Sequence, residues 1–339
     1  MELVQLVYVT ALIIFACLIA IFLGVFISDV IKRRKSNAKY HVRETVLAYI
    51  LLLPAVVLAF FFVILPIFFS LSYSFTDLEI YQAQPIIVNF VGFDQFRDII
   101  EDFQSHGEIY YSFRNTLVFV VLVVPIQITV ALLLALFCNN KKRGTTIFKV
   151  CFFAPVAVSL SVTSYLWYVI LTPDAEGIMN TLLSFFNIPA QEFLRDENYL
   201  VVMTWMVIIS AWQGCGYQML IFLSALGNIR KDLYEAARVD GANVFRRFFT
   251  VTLPGLKPTF LYILITVFVG ACRVMIQPMF LTGYIDNART LSYYMYVQGL
   301  GQGYGHVGLS CAVALMLTVV IGTITLLQRK LLGEKQKNV

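Results

Sequence analysis

Charge is scarce in this 339-residue chain: Asp, Glu, Lys and Arg make up 13% of it, against about a quarter in ordinary globular proteins. A water-soluble domain of this length needs far more polar surface, so that class is excluded. Six cysteines stand at 17, 138, 151, 215, 272 and 311, each in or beside an apolar stretch and without CxxC or Cys/His spacing. Neither a disulfide scaffold nor a structural zinc site is expected from them. Histidine is rarer still, at 41, 106 and 306, in expected loops or at helix ends and with no metal-ligand spacing. GxxxxGKS and GxxxxGKT are both absent, so the chain cannot cradle ATP phosphates by itself. Gly299, Gly301, Gly303 and Gly305 alternate by two, unlike GxGxxG, and are expected to form a flexible turn into the last helix. No nucleophile, carboxylate or metal cluster marks an enzyme, including one acting on lipid.

Apolar residues are plentiful at 59%, and mean hydropathy is +0.79. Runs long enough to cross about 30 Å of hydrocarbon, at about 1.5 Å per helical residue, lie near 3–31, 46–74, 113–138, 148–171, 199–226, 259–281 and 306–328. The expected fold is all-α, a polytopic transmembrane bundle of about seven spans. The first run lacks a basic n-region, exceeds a usual signal-peptide h-region and is followed by basic residues, so it reads as a retained helix. Segments 32–45, 139–149, 227–258 and 329–339 carry six, four, six and four of the 25 Lys and Arg residues. Basic residues are held on the cytoplasmic side, which predicts an external N-terminus and a cytoplasmic C-terminus. Acidic residues concentrate in the opposite loops at 75–112 and 172–198. The net charge of +5 is thus topology and does not point to nucleic acid.

One basic loop is longer and more patterned than an anchor requires. Asp232 and Glu235 have capping-box spacing, predicting a helix over 233–240 that Gly241 ends in the left-handed conformation. Asn243 is placed to cap a second helix, with Val244, Phe245, Phe248 and Phe249 on its apolar side, ending before Pro254. Ala236 and Ala237 keep the first helix thin enough to seat in a partner's cleft, while Glu235, Arg238 and Asp240 supply orienting charge. The competing reading is an amphipathic helix lying on lipid headgroups.

The run Glu235, Ala236, Ala237, three residues, Gly241, nine residues, Val251, one residue, Leu253 and Pro254 resembles the EAA loop of binding-protein-dependent ABC importer permeases. Val251 stands where isoleucine is usual, and Arg230 where many relatives have proline. Asp240, Gly241 and Ala242 together resemble the carbohydrate branch, the type I permeases of maltose and glycerol-phosphate importers. Trp212 to Leu220 and Gly308 to Ala314 are similar too. The resemblance covers roughly 46–330 and implies a six-helix permease core. Residues 1–45 would then be an added helix with a basic linker, and 331–339 a cytoplasmic tail. It further implies that Glu235, Ala236, Ala237, Arg238, Asp240, Gly241 and Ala242 couple the chain to an ATPase. Implied partners are a second homologous permease, two cytoplasmic ATPase subunits holding ATP and Mg, an extracytoplasmic solute-binding protein and a carbohydrate. No cofactor is expected on this chain.

Polar groups at bilayer depth mark candidate pathways. Trp212, Gln213, Gly214, Tyr217 and Gln218 in the fifth run could line one, or the glycines could serve close helix packing. Gln127 in the third run and Tyr165 in the fourth are further candidates. Arg273 and Gln277 are expected near the middle of the sixth, sharing a face at i and i+4. A stand-alone channel or secondary carrier is the alternative function.

Overall fold

The computed structural model describes residues 22–32, 39–80, 88–139, 144–172, 174, 177–194, 199–281, 288–301 and 305–332, with positions 9, 16, 19 and 20. The described residues form helices and two isolated β-bridges, so the chain is all-α. It divides into two compact units, residues 1–101 with 297–316 and residues 102–296 with 317–339. Among the described residues, five helices are long and apolar enough to cross a membrane, or six if one sharply bent pair counts as a span. The run expected at 3–31 lies largely outside the described residues, of which 22–32 are helical.

In the first unit, α1 (Lys39–Ala59) continues through a π turn at Phe60–Ile64 into α2 (Leu65–Tyr73). Its side chains face outward almost throughout, Leu51 and Phe62 being 70% and 76% exposed, as lipid contact requires. The Tyr49 hydroxyl donates to Asp29 at 2.9 Å, fastening the helical stretch 22–32 to α1. Beyond α2 the chain runs extended against the segment that opens the last helix. The Ile80 amide donates to the Gly305 carbonyl at 2.8 Å, the Gly308 amide to Leu78 at 3.1 Å, and the His306 ring meets Glu79 at 2.9 Å. A β-carbon on Gly305 or Gly308 would come within 2.1 Å of the carbonyl oxygens of Ile80 and Thr76. This corrects the expected flexible turn: Gly305 permits close backbone approach, and Gly303 lies outside the described residues.

Across the boundary of the units runs α3 (Asp94–Ser105), amphipathic and polar on one side. The second unit is built on α4 (Glu108–Cys138), which follows Gly107 and packs along a later helix of similar length. The run expected at 148–171 is not one helix. It is α5 (Thr145–Ala157) and α6 (Leu160–Ile170), bent by 98°. Pro155 leaves no N–H for the last turn of α5, Val158 becomes extended, and Ser159 caps α6 by accepting from the Val162 amide at 3.3 Å. A short α7 (Ile178–Ser184) leads to α8 (Tyr199–Asn228), the partner of α4.

After α8 come α9 (Lys231–Val239) and α10 (Val244–Arg247), then a second π turn at Phe248–Thr252 and α11 (Leu253–Cys272). The second helix of the patterned loop therefore does not stop before Pro254. Both π turns sit directly before a Leu-Pro pair, Leu65-Pro66 and Leu253-Pro254. A proline ring crowds the carbonyl four residues back and donates nothing to it, and the wider π turn absorbs both effects without ending the helix.

The sixth run needs the opposite correction, because α11 ends at Cys272 and a separate α12 spans Ile276–Leu281. Arg273 is the C-cap of α11 and not mid-span. A continuous helix would need a residue-278 amide to serve the Val274 carbonyl, and that residue is Pro278. The carbonyl is taken instead by the Thr290 hydroxyl at 2.7 Å, and that of Cys272 by Ser292 at 3.3 Å. These hydroxyls flank the start of α13 (Leu291–Leu300), and α14 (Val307–Leu332) closes the described chain with Arg329 and Lys330 in its last turn. The core of this unit joins Phe119 on α4, Met203, Met206, Met219 and Phe222 on α8, and Ile263 on α11, all at most 1% exposed.

Candidate functional site

Two features stand out in the second unit. The first is a cavity of about 750 Å³ between α4, α8, the end of α11 and α12. Gln127, Gln213, Gly214, Tyr217, Gln218, Arg273 and Gln277 all line it. Arg273 and Gln277 thus meet at the cavity across the break between two helices and not along one helix face.

Gln277 is 2% exposed and accepts a hydrogen bond from the Ser210 hydroxyl. Gln213 donates to the Val158 carbonyl at 3.2 Å and to Thr163 at 3.3 Å, so it holds the break between α5 and α6. The Gln127 amide lies directly over Gly214, where a β-carbon would come within 2.1 Å of its nitrogen. Gly216 serves packing in the ordinary sense, since a β-carbon there would come within 2.1 Å of the Phe152 carbonyl oxygen on α5. Gly214 thus accommodates a side chain at the cavity and Gly216 a neighbouring backbone. Trp212 and Tyr165 do not line the cavity: Trp212 meets Trp167 edge-on at 5.8 Å, and Tyr165 stacks on Tyr168 at 6.3 Å.

Ser210, Thr266 and Ser292 line the cavity without having been picked out from the sequence. Ser210 was legible as the residue one turn before Gln213 and Gly214 on the same face of α8. Ser292 carries no such local signal. Among the described residues no group of three or more His, Cys, Asp or Glu could hold a metal ion.

The second feature is the α9 to α10 turn on the basic side. Arg230, not Asp232, is the N-cap of α9, and Asp232 pairs with the Arg230 guanidinium, so the expected capping box does not form. The C-terminal stop is as the sequence predicts. Gly241 has φ +75°, its amide donates to Arg238 at 3.1 Å, and the Ala242 amide reaches back to Ala237 at 2.9 Å, which is a Schellman motif. Asn243 caps α10 by accepting from the Arg246 amide at 2.8 Å. Glu235, Ala236, Arg238, Asp240 and Gly241 are exposed, and Ala237 and Ala242 half-buried. Beside them Val239, Val244 and Phe245 are 88%, 70% and 77% exposed. Tyr234 bonds to Thr252 at 3.0 Å, and Ile229 packs onto Gly255, so α9 is tied to the start of α11. Gly241→Ala places a β-carbon in the left-handed region and is expected to destabilise this turn by about 1 to 2 kcal/mol. Faster amide exchange of α9, with exchange in α8 unchanged, checks it.

A polytopic helical membrane protein with a largely apolar cavity carrying several polar side chains, and an exposed helical turn joined to one of the helices that line it, has the build of a transport subunit. The chain belongs to the family described as binding-protein-dependent transport system inner membrane component, whose profile matches residues 103–337. It is 30% identical over 305 residues to the probable ABC transporter permease protein YesP of Bacillus subtilis, covering 88% of this chain and 93% of that one. It is 31% identical over 255 residues to the arabinooligosaccharides transport system permease protein AraP of the same organism, covering 73% and 77%. The sn-glycerol-3-phosphate transport system permease protein UgpA of Yersinia pestis is 30% identical over 296 residues, covering 85% and 95%. In fold it is similar to a chain of a bacterial alginate ABC transporter crystallised with an alginate pentasaccharide-bound periplasmic protein. That likeness has TM-score 0.72 and 23% identity, covering 86% of this chain and 95% of that one.

Proposed function

We propose that this permease carries a sugar or oligosaccharide into the cell by alternating access, driven by ATP hydrolysis on separate subunits. The observation that carries the reading is mechanical. The exposed α9 is stopped by Gly241, and α9 and its flank are fastened to α11 through Tyr234–Thr252 and Ile229–Gly255. The far end of α11 carries Arg273 into the cavity wall. A push on α9 by an ATPase is thereby passed to the residues around a solute. Glu235, Arg238 and Asp240 orient the contact, and Ala236 and Ala237 let it come close.

The permease names of relatives transporting arabinooligosaccharides and lactose support the carbohydrate assignment. The partners we assign are a second permease, two ATPase subunits binding ATP and Mg, and an external solute-binding protein. Purification from the native membrane tests this. A permease, an ATPase and saccharide-stimulated ATP hydrolysis are expected in the same complex, and a chain that purifies alone contradicts it.

The basic loops set the orientation, with the N-terminus outside and the C-terminus inside. A protease site inserted near Gly241 should be protected in intact spheroplasts and cut after lysis, while one near His106 should be cut from outside. The reverse pattern overturns the topology.

A further inference from the structure

We infer that the transported solute is an anionic saccharide, with Arg273 the residue that selects its negative charge. This rests on the reading of the cavity as the solute's route. The wall is built from amides, hydroxyls and apolar groups, and among the described residues Arg273 is its one charged member. No carboxylate lines the cavity there, and the exposed Arg273 side chain makes no ion pair or hydrogen bond among the described residues. Ionisable residues within membrane-spanning segments characteristically face the bundle interior or a solvated cavity and mark solute pathways. The planar fork of donors on Arg273 matches a carboxylate or a phosphate in two-point fashion.

The neighbours fit the remainder of such a solute. Gln218 lines the same cavity, as does Gln213, whose amide nitrogen is held by the Val158 carbonyl and the Thr163 hydroxyl. Gln127 and Tyr217 add hydrogen-bonding groups beside them. Carboxamides both donate and accept, which suits hydroxyls. A polyhydroxylated anion satisfies the arginine and the amides together, and a neutral sugar satisfies only the amides. A competing account makes Arg273 a structural cation at the C-terminus of α11, where the helix dipole favours positive charge.

The test uses the assembled transporter with its native binding protein in proteoliposomes. Uptake is compared for a uronic-acid disaccharide, the neutral disaccharide of the same linkage, and a hexose phosphate. Wild type is expected to take up at least one of the two anions about tenfold or more faster than the neutral sugar, and which anion wins separates carboxylate from phosphate. Arg273→Gln should lower anion uptake about 10- to 100-fold, the range for hydrogen bonds to a charged group, and leave neutral uptake within about twofold. Arg273→Lys should restore part of the preference, and co-purification of all subunits shows that each variant assembles. Equal loss for all three solutes, an unchanged preference, or failure of both Arg273→Gln and Arg273→Lys to assemble overturns the inference in favour of the structural role. Wild-type uptake of the neutral sugar alone overturns it while leaving the carbohydrate reading intact. An ATP-hydrolysing complex that moves none of the three removes both.

Discussion

Glu235→Lys should abolish transport, with uptake falling by about 100-fold or more and ATP hydrolysis no longer responding to solute. Glu235 is exposed on α9, so reversing its charge barely touches the fold; surface substitutions of this kind usually change stability by about 0.5 kcal/mol or less. Under the proposed coupling role, the effect falls on the contact with the ATPase. Placing a like charge where an opposite one is met costs several kcal/mol, and each 1.4 kcal/mol, approximately, is tenfold in affinity. Binding of the ATPase to membranes carrying the variant, followed by uptake, checks the expectation. Normal assembly together with normal uptake would remove α9 from the coupling role.

Gly216→Leu should prevent the complex from accumulating at all. The first added carbon would come within 2.1 Å of the Phe152 carbonyl oxygen, which belongs to the backbone of α5 and cannot swing aside as a side chain can. The helices must separate, at about 3 kcal/mol, the upper end of the usual range for overpacking. Gly214→Ala is the informative contrast, because its obstacle is the Gln127 carboxamide, the flexible end of a side chain. That variant should assemble, with altered uptake caused by displacing Gln127 from the cavity wall. Yield of folded complex and its thermal midpoint separate the two.

Much of this was legible in the sequence because bilayer thickness ties span length to run length. The long helices α4, α8 and α14 fall where apolar runs place them, and Gly241 and Asn243 announced the turn between α9 and α10 because backbone chemistry at caps is local. The breaks were not legible from hydropathy, since 158–159 and 273–275 are bordered by residues as apolar as the spans themselves. Pro155 and Pro278 were the available signals. What turns Pro278 from a kink into a break is the bond from Thr290 to the Val274 carbonyl, a contact between distant parts of the chain that no periodicity reports. Asp232 shows the converse, a local pattern overruled by a nearer charged partner, Arg230. On α8, helical spacing separates Trp212 from Gln213 by about 100° of rotation, and only the packing against α4 and α5 decides which of them meets the cavity.

The central claim is that this permease moves a saccharide only when a separate ATPase drives it through α9. Proteoliposomes holding the complete complex, and others holding this chain alone, can be loaded with ATP and supplied with binding protein and labelled saccharide. Accumulation of the saccharide against its gradient by the complete complex, lost without ATP and absent with the chain alone, is the predicted result. Saccharide flux through the chain alone, indifferent to ATP, would contradict the account and identify a stand-alone channel or carrier.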